Sequence, residues 1–191
     1  MELGSILFWG VVAVVIVYSI MIYNGLVQLK HSVSKAWSNI DVLLKQRHDE
    51  LPKLVETCKQ YMSYEQDTLT KIMEARSSVA LAQQSKNMGA LGQAETQLRQ
   101  GLGQLFALAE NYPELKANDS FQHLQSRISG MENAIADRRE LYNESVNLNN
   151  VRIEQFPDVL IARFFKFVAA ELLQFSDAEK TDVDLKSLFN S

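Results

Sequence analysis

Residues 3–22 run Leu-Gly-Ser-Ile-Leu-Phe-Trp-Gly-Val-Val-Ala-Val-Val-Ile-Val-Tyr-Ser-Ile-Met-Ile, twenty positions without a single charge. An α-helix needs about 20 apolar residues to cross the hydrocarbon core of a bilayer. Leu3, Trp9, Val15 and Ile22 mark out its length, so residues 1–23 are expected to be a transmembrane anchor. A cleaved secretory signal has a basic start and a small-residue cleavage site. This chain starts Met1-Glu2, and its apolar run ends Ser19-Ile20-Met21-Ile22-Tyr23, so retention as an anchor is expected. Phe8 and Trp9 near one end, and Tyr18 and Tyr23 near the other, suit the two membrane interfaces. Lys30, Lys35, Lys45 and Arg47 all follow the run and no Lys or Arg precedes it. That bias predicts a short N-terminus outside and a cytoplasmic C-terminal domain.

Beyond the anchor, the chain is long enough for one domain with a real core. The formal net charge is −4 and the sequence pI about 5.4. A nucleic-acid binder would carry a basic surplus, so nucleic acid is not an expected partner. Cys58 is the only cysteine, which excludes an internal disulfide. Three prolines and eight glycines leave little room for loops.

Apolar positions recur at three- and four-residue steps, the signature of amphipathic helices. One stripe runs Leu26, Lys30, Val33, Trp37, Ile40, Leu44, and a second runs Leu51, Leu54, Cys58, Tyr61, Leu69, Ile72, Val79. A third runs Leu91, Ala94, Leu98, Leu102, Leu105, Ala109; a fourth runs Phe121, Leu124, Ile128, Met131, Ile135, Tyr142, Val146. No strand-like alternation of useful length occurs. The expected class is all-α: an N-terminal transmembrane helix, then an antiparallel, up-and-down four-helix bundle over residues 24–155. Asn87 to Gly92 is the expected turn between the second and third helices. Tyr112-Pro113 ends the third, and Asp119 or Ser120 caps the fourth. Phe156-Pro157 opens a fifth segment with proline in its first turn.

Pro52 leaves two alternatives. Either one long helix continues through it with a kink, or His48-Asp49-Glu50 makes a tight reversal. With a reversal, Phe156 returns to the membrane. With a kink, the second helix continues outward and the C-terminal segment sits far from the bilayer.

These motifs, in order, are similar to a known family. The matching pieces begin with Tyr23-Asn24-Gly25-Leu26-Val27, Ala36-Trp37-Ser38-Asn39-Ile40-Asp41 and the stretch 44–55, Leu-Lys-Gln-Arg-His-Asp-Glu-Leu-Pro-Lys-Leu-Val, which holds Arg47 and Pro52. They continue through residues 110–117, Glu-Asn-Tyr-Pro-Glu-Leu-Lys-Ala, then Phe121-Gln122-His123-Leu124-Gln125 and Glu132-Asn133-Ala134-Ile135-Ala136. Arg138-Arg139, Tyr142-Asn143 and Phe156-Pro157 close the series. The chain resembles the LemA family of bacterial membrane-anchored proteins from Tyr23 to about Phe175. The resemblance implies a transmembrane helix, a short outside tail and a cytoplasmic helical bundle. It implies no enzymatic activity; relatives are linked to shaping internal membranes or are found alongside membrane proteases. It carries no catalytic residues over to this chain.

No catalytic or cofactor motif is expected in this chain. His31, His48 and His123 do not pair at helix-face spacing, so neither a zinc helix nor any other cofactor site is expected. Cys58, on an apolar stripe, reads as an inert buried thiol. Gly101-Leu102-Gly103 lacks the lysine and the preceding strand of a phosphate loop. No small-molecule substrate is expected. Arg47, Arg76, Arg138 and Asn149 fall where a bundle expects hydrophobes, and buried charge must be paired. A layer joining Arg76 or Arg138 to Glu132 or Glu65 would fix helix register.

Phe156 to Phe175 is wide in apolar residues, with Phe164, Phe167, Val168, Leu172 and Phe175 as candidates for membrane or subunit contact. It reads either as a last helix packed on the bundle or as an amphipathic helix in the membrane interface. Residues 176–191 read as a mobile tail. The expected function is a non-catalytic scaffold in the bacterial inner membrane that self-associates and organises or remodels membrane. Its expected partners are the lipid bilayer and further copies of itself. The alternative is an adaptor or sensor for a membrane protease or an envelope stress response.

Overall fold

A computed structural model describes residues 2–174. Phe175 and the tail 176–191 lie outside the described residues. Every regular element is a helix: α1 (Glu2–Lys59), α2 (Gln66–Ser85), α3 (Met88–Ala109), α4 (Pro113–Lys116), α5 (Asp119–Glu154) and α6 (Asp158–Phe164). Two compact units divide the chain, residues 2–39 with 138–172, and residues 40–137 with 173–174.

The second unit is the up-and-down four-helix bundle. Its side-chain pairs give the directions of the helices. Asp41 accepts from Gln83 and the His48 carbonyl from Arg76, so α2 runs antiparallel to α1. Arg47 meets Glu132, and Tyr61 accepts from Asn118, so α5 also runs antiparallel to α1. The core contains Ile40, Leu44, Leu51, Leu54, Cys58, Leu69, Ile72, Leu91, Leu98, Leu102, Leu105, Phe121 and Ile128, all essentially inaccessible.

Pro52 lies inside α1, and no reversal occurs there. Proline has no N–H to give the carbonyl four residues back, which is that of His48. Arg76 Nε donates to that carbonyl at 2.9 Å, so the orphaned acceptor is satisfied from α2. The reversal comes later. Tyr61 and Met62 N–H both close on the Cys58 carbonyl, at 3.0 and 2.8 Å, and end α1. The stripe from Leu51 to Val79 is therefore two helices. No proline or glycine marks the turn; the bonds from Tyr112 to Glu65 and from Asn118 to Tyr61 hold it.

Other boundaries move by a few residues. Lys86, at φ 52°, reverses the chain between α2 and α3, and the Asn87 side chain caps α3 by accepting from Ala90 N–H at 2.9 Å. Gly92 lies inside α3, not in the turn. A Cβ there would sit 2.2 Å from the Gln174 carbonyl oxygen, so the chain's last described segment passes close over α3 because residue 92 is glycine. Asn118, rather than Asp119 or Ser120, caps α5 by accepting from Phe121 N–H at 3.0 Å.

The first unit is simpler. The opening part of α1 and the closing part of α5 pack together through the Trp37–Tyr142 ring pair and a buried cluster of Ile22, Leu26 and Ile153, to which Ala162 of α6 adds. The fifth segment is helical only over Asp158–Phe164, short of the expected 156–175, with Pro157 at its N-cap position. Lys166, at φ 57°, turns the chain out of the helix, and residues 167–174 are not helical.

Candidate functional site

The end of the apolar run is where the first unit concentrates its chemistry. From Leu3 to Met21 the large apolar side chains of α1, half-buried Val12 apart, are exposed, from 52% at Tyr18 to 78% at Leu3. Among the described residues α1 alone is long and apolar enough to cross a membrane. At Ile22 the environment changes. Ile22 and Leu26 are buried with Ile153 and Ala162, and Ile161 and Phe167 pack against them. The last residue of the expected span is thus covered by protein.

Local bonding puts α6 there. Asp158, buried at its start, is ion-paired with Arg152 near the end of α5. One face of α6 turns Asp158 and Ala162 inward, while Leu160 and Phe164 remain 60% and 78% exposed. Phe165 and Phe167 meet the Tyr23 ring at 4.6 and 5.9 Å between centroids. The strap that follows is tied to α5. Asn150 accepts from the Ala170 N–H and donates to the Ala170 carbonyl, both at 2.9 Å. Tyr142 donates its hydroxyl to the Glu171 carbonyl at 2.9 Å. Burial, then Glu171, raises the Tyr142 pKa, so the hydroxyl keeps its proton. Between strap and α1 lies a groove of about 560 Å³ lined by Tyr23, Lys30, His31, Phe165, Lys166 and their neighbours.

The second unit contains a different polar centre. Arg47 is 1% exposed and bridges Glu95 of α3 and Glu132 of α5. Burial alone would lower the pKa of the guanidinium. The two carboxylates outweigh burial and hold it above its ordinary value, so Arg47 is charged at every physiological pH. Nearby, buried Glu50 accepts from Lys53 at 3.2 Å and Arg127 at 3.0 Å. This cluster joins three helices at one level, an arrangement suited to fixing register rather than to holding a substrate.

The layer expected from sequence is corrected in its members. Glu132 belongs to it, with Arg47 as its partner. Arg76 serves the His48 carbonyl, Glu65 takes the Tyr112 hydroxyl, and Arg138 is exposed. Arg139, one residue on, is the buried arginine, because it falls four after Ile135 and three before Tyr142. Sequence reasoning also missed Glu95, although Leu91, Glu95, Leu98 and Leu102 step by four, three and four.

The remaining candidates are scattered. Leu3, Trp9 and Val15 are exposed, Asn24 is exposed and Asn143 half-buried. Val168 and Leu172 are exposed on the strap, not on a helix. No group of three His, Cys, Asp or Glu residues is placed to hold a metal among the described residues. Cys58 is fully buried, and burial pushes its thiol up to about 12. A thiol held in its protonated form is a poor nucleophile.

The profile described as the LemA family matches residues 36–186. Magnetosome protein MamQ 2 of Paramagnetospirillum magneticum is 24% identical over 193 aligned positions, covering 89% of this chain and 71% of the relative. Magnetosome protein MamQ of Magnetospirillum gryphiswaldense is 23% identical over the same shares. Protein LemA of Metamycoplasma hominis is 27% identical over 167 positions, covering 87% of this chain and 75% of the relative.

Proposed function

Because the chain belongs to the LemA family, we propose that it is a single-pass protein of the bacterial inner membrane that works as a non-catalytic, self-associating scaffold. Its N-terminus lies outside and its helical domain in the cytoplasm, as the distribution of Lys and Arg favours. The observation that carries this reading is the change along α1 at Ile22. Before it, nearly every apolar side chain is exposed; from it onward, one face of the helix, beginning with Ile22 and Leu26, is packed against protein. No linker separates the two, since α1 is unbroken. At that same level Leu160, Phe164 and Phe165 are left exposed, which suits an aromatic, apolar contact with the membrane interface.

Copies have surfaces to meet on. Gly4 and Gly10 have open space where a side chain would be, which permits close approach of a second helix in lipid. Leu141, Leu148 and Val151 are about half exposed along α5. Relatives named for a magnetosome, a structure and not a reaction, favour a structural role. The function is then geometric: an array of tethered domains organises or remodels the membrane, or gathers other membrane proteins. Particle mass measured on the full chain in a mild membrane mimic tests this. The expected result is a defined multiple of 21.7 kDa; a strict monomer would overturn self-association.

A further inference from the structure

Two lysines meet at the groove beside Tyr23 from opposite sides: Lys30 from α1, and Lys166 from the left-handed turn after α6. His31 joins them, and no carboxylate lines the groove. Among the described residues neither lysine side chain forms an ion pair or a hydrogen bond. The amides of Val168 and Ala169, which also line the groove, bond no other described residue. Two cationic side chains without a carboxylate partner therefore border one cavity.

Its depth decides what occupies it. Lys30 follows Ile22 by eight residues, about 12 Å of helix at 1.5 Å per residue. Side chains of a helix lean toward its N-terminus, so Lys30 leans back toward the apolar run. The headgroup layer reaches several Å beyond the hydrocarbon, which brings a lipid phosphate within reach of a lysine side chain. The rest of the wall suits a lipid as well: Tyr23, Val27, Phe165, Phe167 and Val168 form an apolar and aromatic side against which glycerol and the first acyl carbons can lie.

We infer that this groove is a binding site for the phosphate headgroup of an anionic phospholipid, held between Lys30 and Lys166 with His31 beside them. The inference rests on the reading that residues 3–22 cross the membrane. The bound headgroup adds a further tie between α1 and the segment that Asn150 and Tyr142 hold to α5.

The test uses the full chain in nanodiscs of phosphatidylcholine with and without phosphatidylglycerol, followed by extraction and native mass spectrometry of the lipid retained per chain. The expected result is retention of phosphatidylglycerol over phosphatidylcholine. The double variant K30Q/K166Q should lower that preference roughly 30-fold, given the contribution of each lysine near an anionic surface. The control K59Q/K86Q, which changes two exposed lysines elsewhere, should leave it intact. Equal retention of both lipids, or an unaffected double variant, would overturn the site. Retention of inorganic phosphate without preference for phosphatidylglycerol would make a soluble phosphate the occupant, and would overturn the lipid assignment. A chain that fails to enter the discs sinks the anchor reading itself; one that enters without lipid preference sinks only the groove.

Discussion

The two ends of α1 solve opposite problems with the same backbone. From Leu3 to Met21 nearly every side chain is apolar and exposed. From Ile40 to Cys58 only one face is buried, at Ile40, Leu44, Arg47, Leu51, Leu54 and Cys58, stepping four, three, four, three, four. The first end packs on nothing among the described residues, and its apolarity suits a solvent of hydrocarbon. The second serves contact with three other helices, so position matters more than the number of apolar residues. Charge sharpens the difference. Arg47 is tolerated in the middle of the packed face because Glu95 and Glu132 meet it there. An arginine in the apolar end would have no such partner.

The largest expected effect breaks the packed end. Arg47→Ala leaves two carboxylates near each other without their cation, and should cost about 3–5 kcal/mol of stability in denaturant unfolding followed by circular dichroism. Replacing the whole triad, Arg47→Met with Glu95→Leu and Glu132→Leu, should restore most of that loss. If the triple variant is as unstable as the single one, the cluster does more than set register.

Next in size is the reverse experiment at the apolar end. Val14→Arg puts an unpaired charge near the middle of the span, with a penalty of about 2.5–3.5 kcal/mol for membrane insertion. The fraction of protein resistant to alkaline carbonate extraction should fall sharply. An unchanged fraction would mean that this end of α1 is not in lipid.

A smaller effect tests how the packed end accommodates its proline. Arg76→Ala should cost about 1–2 kcal/mol, because the His48 carbonyl loses the donor that reaches it from α2. In a Pro52→Ala background the helix supplies its own N–H, so the same substitution should cost less; a double-mutant cycle gives the coupling. Additive effects would show that Arg76 does not serve that carbonyl.

The smallest effect at neutral pH concerns Cys58. Its folded pKa of about 12 lies above the unfolded thiol's value of about 8.5. The folded state keeps a proton that the unfolded state loses. The thiol's contribution is therefore constant below about pH 8.5 and is lost as pH rises from there toward 12. At pH 8 iodoacetamide should label Cys58 only after denaturation, read by mass spectrometry. Fast labelling of the native chain would contradict the buried thiol.

Much of this fold is written in helical periodicity. The stripes of α3 and α5 run as the spacing of Leu91 to Ala109 and Phe121 to Val146 requires. The turn after Lys59 is silent because Gln60 to Glu65 contains no proline or glycine, and its supports, Tyr112 and Asn118, are more than 45 residues away. Pro52 misleads in the other direction, since a side chain on another helix supplies the missing donor. By sequence alone, the return of Phe156 to the membrane requires a reversal at Pro52. In the structure α1 is unbroken and the C-terminal segment still returns to Tyr23, because the reversal falls at residues 60–65 and α5 runs on to Glu154. The polar cluster was half legible. Arg47 and Glu132 stand out on their stripes, but Arg138 and Arg139 differ by one position, and only the register from Ile135 to Tyr142 separates them. The groove was not legible at all, since Lys30 and Lys166 are 136 positions apart and meet only through the turn after α6.

The central claim is that α1 crosses the membrane once and keeps the helical domain on the inner side. The most direct measurement is labelling of single cysteines in a Cys58→Ala chain by a membrane-impermeant maleimide. Glu2→Cys should label on intact spheroplasts, and Ser77→Cys, at an exposed position of α2, only after permeabilisation. Labelling of Ser77→Cys from outside, or protection of both sites until the membrane is opened, would contradict the account.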